Sequence, residues 1–335
     1  MSLRAMPLPL SILEQLLRWE QELDNWPPLQ PLLQQRALPV EPLRHPEFQR
    51  HGVSVEVLRG DRLHPLVSGN KWFKLKYNLL AARRQRSPAL LSFGGPWSNH
   101  LHALAAVARL LDWPLRGVVR GEEHHARSTP MLREASAWGM RVETVNRHRY
   151  RQLRGQPDLV GAAAHYVIPE GGDNWWGLLG AASMALAISG DPQRFSHVLA
   201  AVGTGCTLAG LRLGLPAGVE VLGISALKGA WQLPAMERRM AQLPGPPAPW
   251  HLSLAHHRGG FAVADPALLS FMAEFSDNTG LPLEPVYTGK AMLALLDYLA
   301  RGIIPSGSRV LFVHSGGLQG QRGFRPPEST PNLSR

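Results

Sequence analysis

Residues 67–80 read VSGNKWFKLKYNLL. A Gly-Asn turn leads into an amphipathic pattern marked by Phe73, Tyr77 and Leu80, so a helix is expected to begin here. Lys71, Lys74 and Lys76 crowd its first turns. Ammonium groups at a helix N-terminus oppose the macrodipole, and like charges three residues apart repel. A chain that puts lysines there needs something to relieve them.

Working outward, the stretch is one unit in an alternation of short apolar runs and helical patterns. VSVEVL is strand-like before it. ALLSFGG, LRGVVRG and MRVETV read as strands after it, separated by the helical SNHLHALAAVARLL and STPMLREASAWG. Farther on, FSHVLAAVGTG, VEVLGISA and GSRVLFVHSGG are strands, while CTLAGLRLGL and DPALLSFMAEFSDNTG are helices. Repeated strand–helix units predict an α/β fold with parallel sheets and helices on both faces.

In open parallel sheets ligands gather beyond the carboxyl ends of strands. Three such turns carry paired glycines: GGPWSNH at 94–100, GTGCTLAG at 203–210 and HSGG at 314–317. In the middle one, Gly203, Thr204, Gly205, Cys206 and Thr207 lie between a buried strand and a helix start. Converging N–H groups and the helix N-terminus there suit a phosphate. A plain tight turn is the alternative. Cys206 reads as a small packing residue, since no histidine partner is evident. A phosphate would neutralise one lysine of the opening stretch. A second would lose its repulsion if its nitrogen were held as an imine, the way lysines carry carbonyl cofactors. Lys71 and Lys74 share one helix face and could reach opposite ends of one small molecule.

Composition narrows the classes. With 335 residues, 44% hydrophobic and 18% charged, a packed core is expected rather than disorder. A single cysteine excludes an internal disulfide and a multi-cysteine zinc site. Glu14 interrupts the short apolar run near the start, so no secretory signal is read, and the cytoplasm is the default compartment. GLLGAASMALAISG is too short to span a membrane. The net charge of +10 raises nucleic acid as a partner. Its basic residues come in knots, Arg83, Arg84 and Arg86, then Arg147, Arg149, Arg151 and Arg154, without a nucleic-acid-binding signature. They read as solvated faces or a general pull on small anions. EEHH at 122–125 reads as an exposed turn, not a metal site. Residues 1–50 suggest a helix (SILEQLLRWEQEL) and a proline-rich wrap, and 326–335 a frayed tail.

SGNKWFKLKY, GGPWSNHLHALAA, GTGCTLAG, EPVYTGKAM and VLFVHSGG occur in this order, over roughly residues 50–325. Together they resemble the 1-aminocyclopropane-1-carboxylate deaminase / D-cysteine desulfhydrase family, pyridoxal-phosphate enzymes built like the tryptophan synthase β subunit. The resemblance implies two open twisted parallel sheets flanked by helices. It places the larger cofactor domain at 51–75 and 186–325 and a smaller inserted domain at 76–185. It implies pyridoxal 5'-phosphate, a small amino-acid substrate and a homodimer. Lys71 falls on the Schiff-base lysine and Lys74 on the lysine that contacts the cofactor phosphate. The phosphate loop falls on Gly203 to Thr207. Asn99 falls on the residue touching the cofactor's phenolic oxygen, and Ser98 faces the substrate. Tyr287 and Thr288 fall near the ring and its pyridine nitrogen. Lys71, Ser98 and Tyr287 are the expected catalytic residues, and Trp97, Ser98, Asn99 and His100 the expected substrate contacts. Each also has a structural reading: Ser98 as a helix N-cap, Asn99 and His100 as turn residues, Tyr287 as a core aromatic, and His100 and His102 as packing histidines.

Three positions depart from the family's deaminases. Thr288 stands where they carry an acid, leaving the pyridine nitrogen largely neutral and the electron sink weaker. Phe261 stands where relatives often carry a tyrosine, which puts a proton relay from there in doubt. Trp97 stands in place of a glutamine and should reshape the substrate pocket. A weak sink suits loss of a thiol better than opening of a cyclopropane. The expectation is therefore a desulfhydrase-like β-elimination giving a 2-oxo acid and ammonia. Cyclopropane deamination and racemisation are alternatives on the same scaffold, and a cofactor-binding protein with little catalysis is the alternative of another class.

Overall fold

The computed structural model describes residues 9–33, 38–161 and 164–324; the tail expected at 326–335 lies outside them. Ten strands are formed among the described residues: β1 (Val40–Leu43), β2 (Ser54–Arg59), β3 (Ala89–Gly94), β4 (Leu115–Arg120), β5 (Met140–Val145), β6 (His165–Ile168), β7 (His197–Val202), β8 (Glu220–Ser225), β9 (Trp250–Ser253) and β10 (Arg309–His314). They make a six-stranded sheet in the order β1-β2-β10-β7-β8-β9 and a four-stranded sheet in the order β5-β4-β3-β6. The smaller sheet is parallel throughout. The larger is parallel except for β1, which pairs antiparallel with β2 at the edge. The proline-rich wrap expected before residue 50 thus contains a strand.

Side-chain alternation assigns the faces of the larger sheet. On β10, Val310 and Phe312 join Val55, Leu199 and Leu222 against Leu268, Phe275 and Leu295 of the helices Pro266–Thr279 and Thr288–Ala300. Leu311 and Val313 turn the other way, into the core shared with the helices Asn70–Arg84, Trp175–Leu186 and Cys206–Gly214. β7 (HVLAAV) is buried along its whole length, as a central parallel strand must be.

The GLLGAASMALAISG run forms most of the helix Trp175–Leu186, sandwiched between two others. Small residues permit that approach. A Cβ on Gly180 would lie 1.8 Å from the Phe73 carbonyl oxygen, and one on Gly210 would lie 2.4 Å from Cβ of Ala181. Among the described residues no helix is long and apolar enough to cross a membrane.

The first helix, Leu10–Asp24, buries Leu13, Leu16, Trp19 and Leu23. It lies against the lysine helix: Trp19 packs on Tyr77 at 5.0 Å between ring centroids and on Trp176 at 5.1 Å. Arg84 pairs with Glu22 at 2.6 Å, and its guanidinium lies over Trp19. The helix Leu10–Asp24 is therefore integral to the packing of the helix that begins at Asn70.

Candidate active site

The three glycine turns follow β3, β7 and β10, at the carboxyl ends of their strands. The lysine helix starts between them because Gly69 makes the entry. Its φ of +58° and ψ of −141° are rarely adopted by any other residue, and a Cβ there would sit 2.0 Å from the Ser315 carbonyl oxygen. Asn70 then donates from its backbone to Ser315 and from its side chain to Thr207 Oγ1 at 3.0 Å. One residue thus joins the turn after β10 to the turn after β7.

The three lysines have three different fates. Lys71 Nζ donates to Asn70 Oδ1 at 2.7 Å. Burial, with repulsion from Lys74, pushes its pKa down to about 7, against opposing attraction from Glu284 and Cys206. Lys74, only 4% exposed, donates to the Gly171 carbonyl at 3.1 Å. Lys76 points away from both and pairs with Glu20 of the first helix, which also receives the Tyr77 hydroxyl. Its relief is an ordinary ion pair with the N-terminal segment.

Around Lys74 the glycine turn closes in. Cys206 Sγ donates to the Gly172 carbonyl at 3.6 Å, and burial raises its pKa, so it serves as packing rather than as a thiolate. A Cβ on Gly171 would touch Thr204 at 3.2 Å, and one on Gly203 would touch the Tyr287 ring at 3.3 Å. The turn is braced from outside by the helix Gln232–Ala241: Gln232 donates to the Gly203 carbonyl at 2.8 Å and Arg239 to that of Thr204 at 3.2 Å. Arg239 also pairs with Asp173 at 2.8 Å. The first N–H groups of the helix Cys206–Gly214 have no intrahelical acceptors, which is the donor set an anion takes.

On the facing side, Ser98 is the N-cap of the helix Asn99–Leu110, its Oγ accepting from the Leu101 N–H at 3.1 Å. Asn99 lies beside the turn after β10 and accepts from Gln319. The Trp97 indole packs on Gly323, so it forms wall between the two sheets' turns. His100 is 2% exposed. The Ser92 hydroxyl has one proton and donates it to the Ile168 carbonyl at 2.7 Å, so at 2.9 Å it must accept from His100 Nε2. Nδ1 is then a bare acceptor, and it has no partner among the described residues. Burial and the charges of Lys71 and Lys74 push this histidine down to about 3, so it stays neutral. His102 is held elsewhere, by Glu134 at 2.7 Å and against Trp138.

The EPVYTG segment completes the enclosure. Tyr287 is kept a neutral phenol by burial, reinforced by the Glu284 and Glu170 carboxylates. Phe261 meets its ring edge-on at 6.1 Å and is 47% exposed, placing it at the rim. Thr288 is buried and accepts from the Glu284 N–H at 2.9 Å. Sequence reasoning passed over Glu284. Its carboxylate accepts from the N–H groups of Val286, Tyr287 and Thr288, at 2.9, 2.7 and 2.7 Å, and is electrostatically coupled to Lys71. The signal available was an acid four residues ahead of a helix's first residue, where its carboxylate can reach the N–H groups at the helix start. Also missed were Gln319 and Arg322. Gln319 reaches Asn99 and the Trp97 carbonyl, and Arg322 grips both oxygens of Glu134.

A buried amine poised near neutrality, an ammonium beside a glycine-rich helix start, and an unpartnered buried ring nitrogen facing their charge are groups that fit a carbonyl cofactor bearing a phosphate. Residues 33–316 match the family described as "Pyridoxal-phosphate dependent enzyme". A putative 1-aminocyclopropane-1-carboxylate deaminase of Pyrococcus horikoshii is 27% identical over 283 residues, covering 80% of this chain and 86% of the relative. The D-cysteine desulfhydrase of Klebsiella pneumoniae is 28% identical over 304 residues, covering 84% of this chain and 92% of the relative. Among solved structures, an ACC deaminase homologue superposes with a TM-score of 0.72 at 24% identity, covering 85% of this chain and 90% of its own.

Proposed function

The chain belongs to the pyridoxal-phosphate dependent enzymes, in the branch of 1-aminocyclopropane-1-carboxylate deaminases and D-cysteine desulfhydrases, and from that premise we propose that it cleaves small amino acids by β-elimination, as a D-cysteine desulfhydrase does. Lys71 is the covalent anchor for the cofactor. Lys74 and the Gly203–Thr207 turn would hold its phosphate, Asn99 would meet its phenolic oxygen, and Tyr287 and Thr288 would lie beside its ring. Bound there, pyridoxal phosphate supplies a sink for the electron pair left when a Cα–H bond breaks. Lys71, freed as an amine that is half-neutral near pH 7, takes that proton at Nζ. Ser98, Asn99 and the N-terminus of their helix orient the substrate carboxylate. His100 and Trp97 line the substrate side. The neutral Tyr287 hydroxyl can donate a hydrogen bond to the departing thiolate. The thiol leaves, and the remaining aminoacrylate takes up water to give a 2-oxo acid and ammonia.

The observation that carries this reading is the side chain at 288. It is a hydroxyl already engaged with the Glu284 backbone, where a carboxylate would strengthen the sink. The test is turnover of D-cysteine, D-serine and 1-aminocyclopropane-1-carboxylate, read by release of 2-oxo acid. D-cysteine should lead, and Lys71→Ala should abolish the activity and the covalent trapping of cofactor on borohydride reduction. Faster turnover of the cyclopropane, or trapping at another lysine, would overturn the assignment.

The reading carries with it a cytoplasmic homodimer. It also carries a division into a cofactor domain, 51–75 with 186–325, and a smaller domain, 76–185. Supporting that division, β3 to β6 make one sheet and β1, β2 and β7 to β10 the other.

A further inference from the structure

The arginine knot at 147–154 folds as the helix Arg147–Gly155. With Arg120, at the end of β4, it borders a cleft of about 490 Å³ lined by Arg120, Arg147, Tyr150, Arg151 and Arg154. Arg147, Arg151 and Arg154 recur at helical spacing, so they share a face and repel one another. Arg147 also occupies the first turn, where positive charge opposes the dipole. Among the described residues only Arg154 of these four has an ion-pair partner, Glu170 at 2.9 Å. Arg120 lies over the Tyr150 ring, 5.7 Å from its centroid. Tyr150 is 1% exposed, and its hydroxyl faces the Glu170 carboxylate. A solvated basic face would spread its charges and interleave acids. Here four guanidinium groups converge on one concavity, and Glu170 pairs with Arg154 alone among them.

We infer that this cleft binds a small polyanion, a molecule with clustered phosphate or carboxylate groups. Guanidinium forks match such oxygens two at a time. The volume is that of a small-molecule site rather than a track for an extended strand. The cleft is separate from the 203–207 turn but adjoins the active site. A Cβ on Gly95, in the turn leading to Ser98, would lie 3.5 Å from Nη2 of Arg120. Glu170, partner of Arg154, immediately precedes the carbonyl that receives Lys74.

The test is calorimetric titration of inorganic pyrophosphate and of citrate into cofactor-saturated protein, so that the phosphate turn is already filled. Saturable binding at one site is expected. It should weaken by about 10-fold or more in Arg147→Gln/Arg151→Gln. Arg149→Gln, exposed on the same helix outside the cleft, should leave it unchanged. Preference for pyrophosphate assigns phosphate groups, and preference for citrate assigns carboxylates. The ligand-free double variant should melt no lower than the parent, because like charges have been removed, so its loss of binding is not loss of fold. Three results would overturn the proposal: no saturable binding of either probe at millimolar concentration, equal weakening in Arg149→Gln, or displacement of both probes by a single-stranded oligonucleotide whose affinity falls equally in Arg149→Gln.

Discussion

Lys71 and Lys74 stand three residues apart on one helix, and after burial the charge of Lys74 is the largest influence lowering the pKa of Lys71. A cation disfavoured by burial and by a like charge sheds its proton early. Lys71 is therefore an ammonium below about pH 7 and a free amine above it, whereas an ordinary lysine changes over near 10.5. In cofactor-free protein, acetic anhydride should label Lys71 with a rate that rises through pH 7 and levels off by about pH 8, read by peptide mass spectrometry against the exposed Lys228. Lys74→Gln should move the midpoint upward. Glu284→Gln should move it downward, by removing an attractive charge. A midpoint near 10.5 would refute this account of the site's electrostatics.

The Ser92–His100 bond makes a second, structural prediction. Ser92→Ala leaves the His100 Nε2–H and the Ile168 carbonyl unpaired in a buried setting. Stranded groups of this kind cost about 1–3 kcal/mol, which urea denaturation would register as a lower midpoint with an unchanged slope. The imidazole also loses the acceptor that selects its tautomer, so turnover should fall more than binding of the cofactor does. A stability change below about 0.5 kcal/mol would mean that the ring finds another partner at no cost.

Long, periodic elements were legible before any coordinates. The lysine helix, β3, β7, β10 and the three glycine turns lie where alternation of strand and helix patterns puts them, because their apolar spacing and their glycines are local signals. The four-residue strands β1, β6 and β9 were not read, since a run that short exists only through its neighbours. The helix Trp175–Leu186 is apolar on every side and so has no amphipathic period to detect. Lys71, Lys74 and the 203–207 turn stand out through charge and glycine placement that local structure alone would disfavour, whereas Ser98 is marked only by the family resemblance. Gln319 and Arg322 act through contacts with groups far away in sequence, and nothing in their immediate surroundings marks them, whereas Glu284 had a local signal in its place just before a helix start.

Gly69→Ala tests the join between the lysine helix and the turn after β10. The new Cβ would meet backbone, the Ser315 carbonyl oxygen at 2.0 Å, and the positive φ adds strain whatever the space. Neither can be relieved by a side-chain rotation. The loss should be about 3 kcal/mol or more, with cofactor retention reduced because Asn70 and Lys71 shift together. A chemical denaturation series and the cofactor-to-protein ratio after dialysis would measure both. Retention of full occupancy and stability would show that the turn and the helix are not mechanically joined here.

Glu20 links the first helix to the active-site helix through a buried cation. Its carboxylate receives both Lys76, whose side chain is 5% exposed, and the Tyr77 hydroxyl. Glu20→Ala removes the shared acceptor and strands an ammonium in the core, whereas Lys76→Met removes the charge itself and leaves Tyr77 its partner. Stranding a fully buried charge costs about 3–5 kcal/mol, but Glu20 is 34% exposed on its side chain and water can reach the pair, so about 1–3 kcal/mol is expected. Lys76→Met should cost clearly less, and the double variant should be no worse than Glu20→Ala alone. Stability of the three variants by urea denaturation, combined as a double-mutant cycle, gives the coupling directly. Additive losses would mean that the first helix is held by Trp19 and its apolar neighbours alone, with the third lysine of the opening stretch contributing nothing to the join.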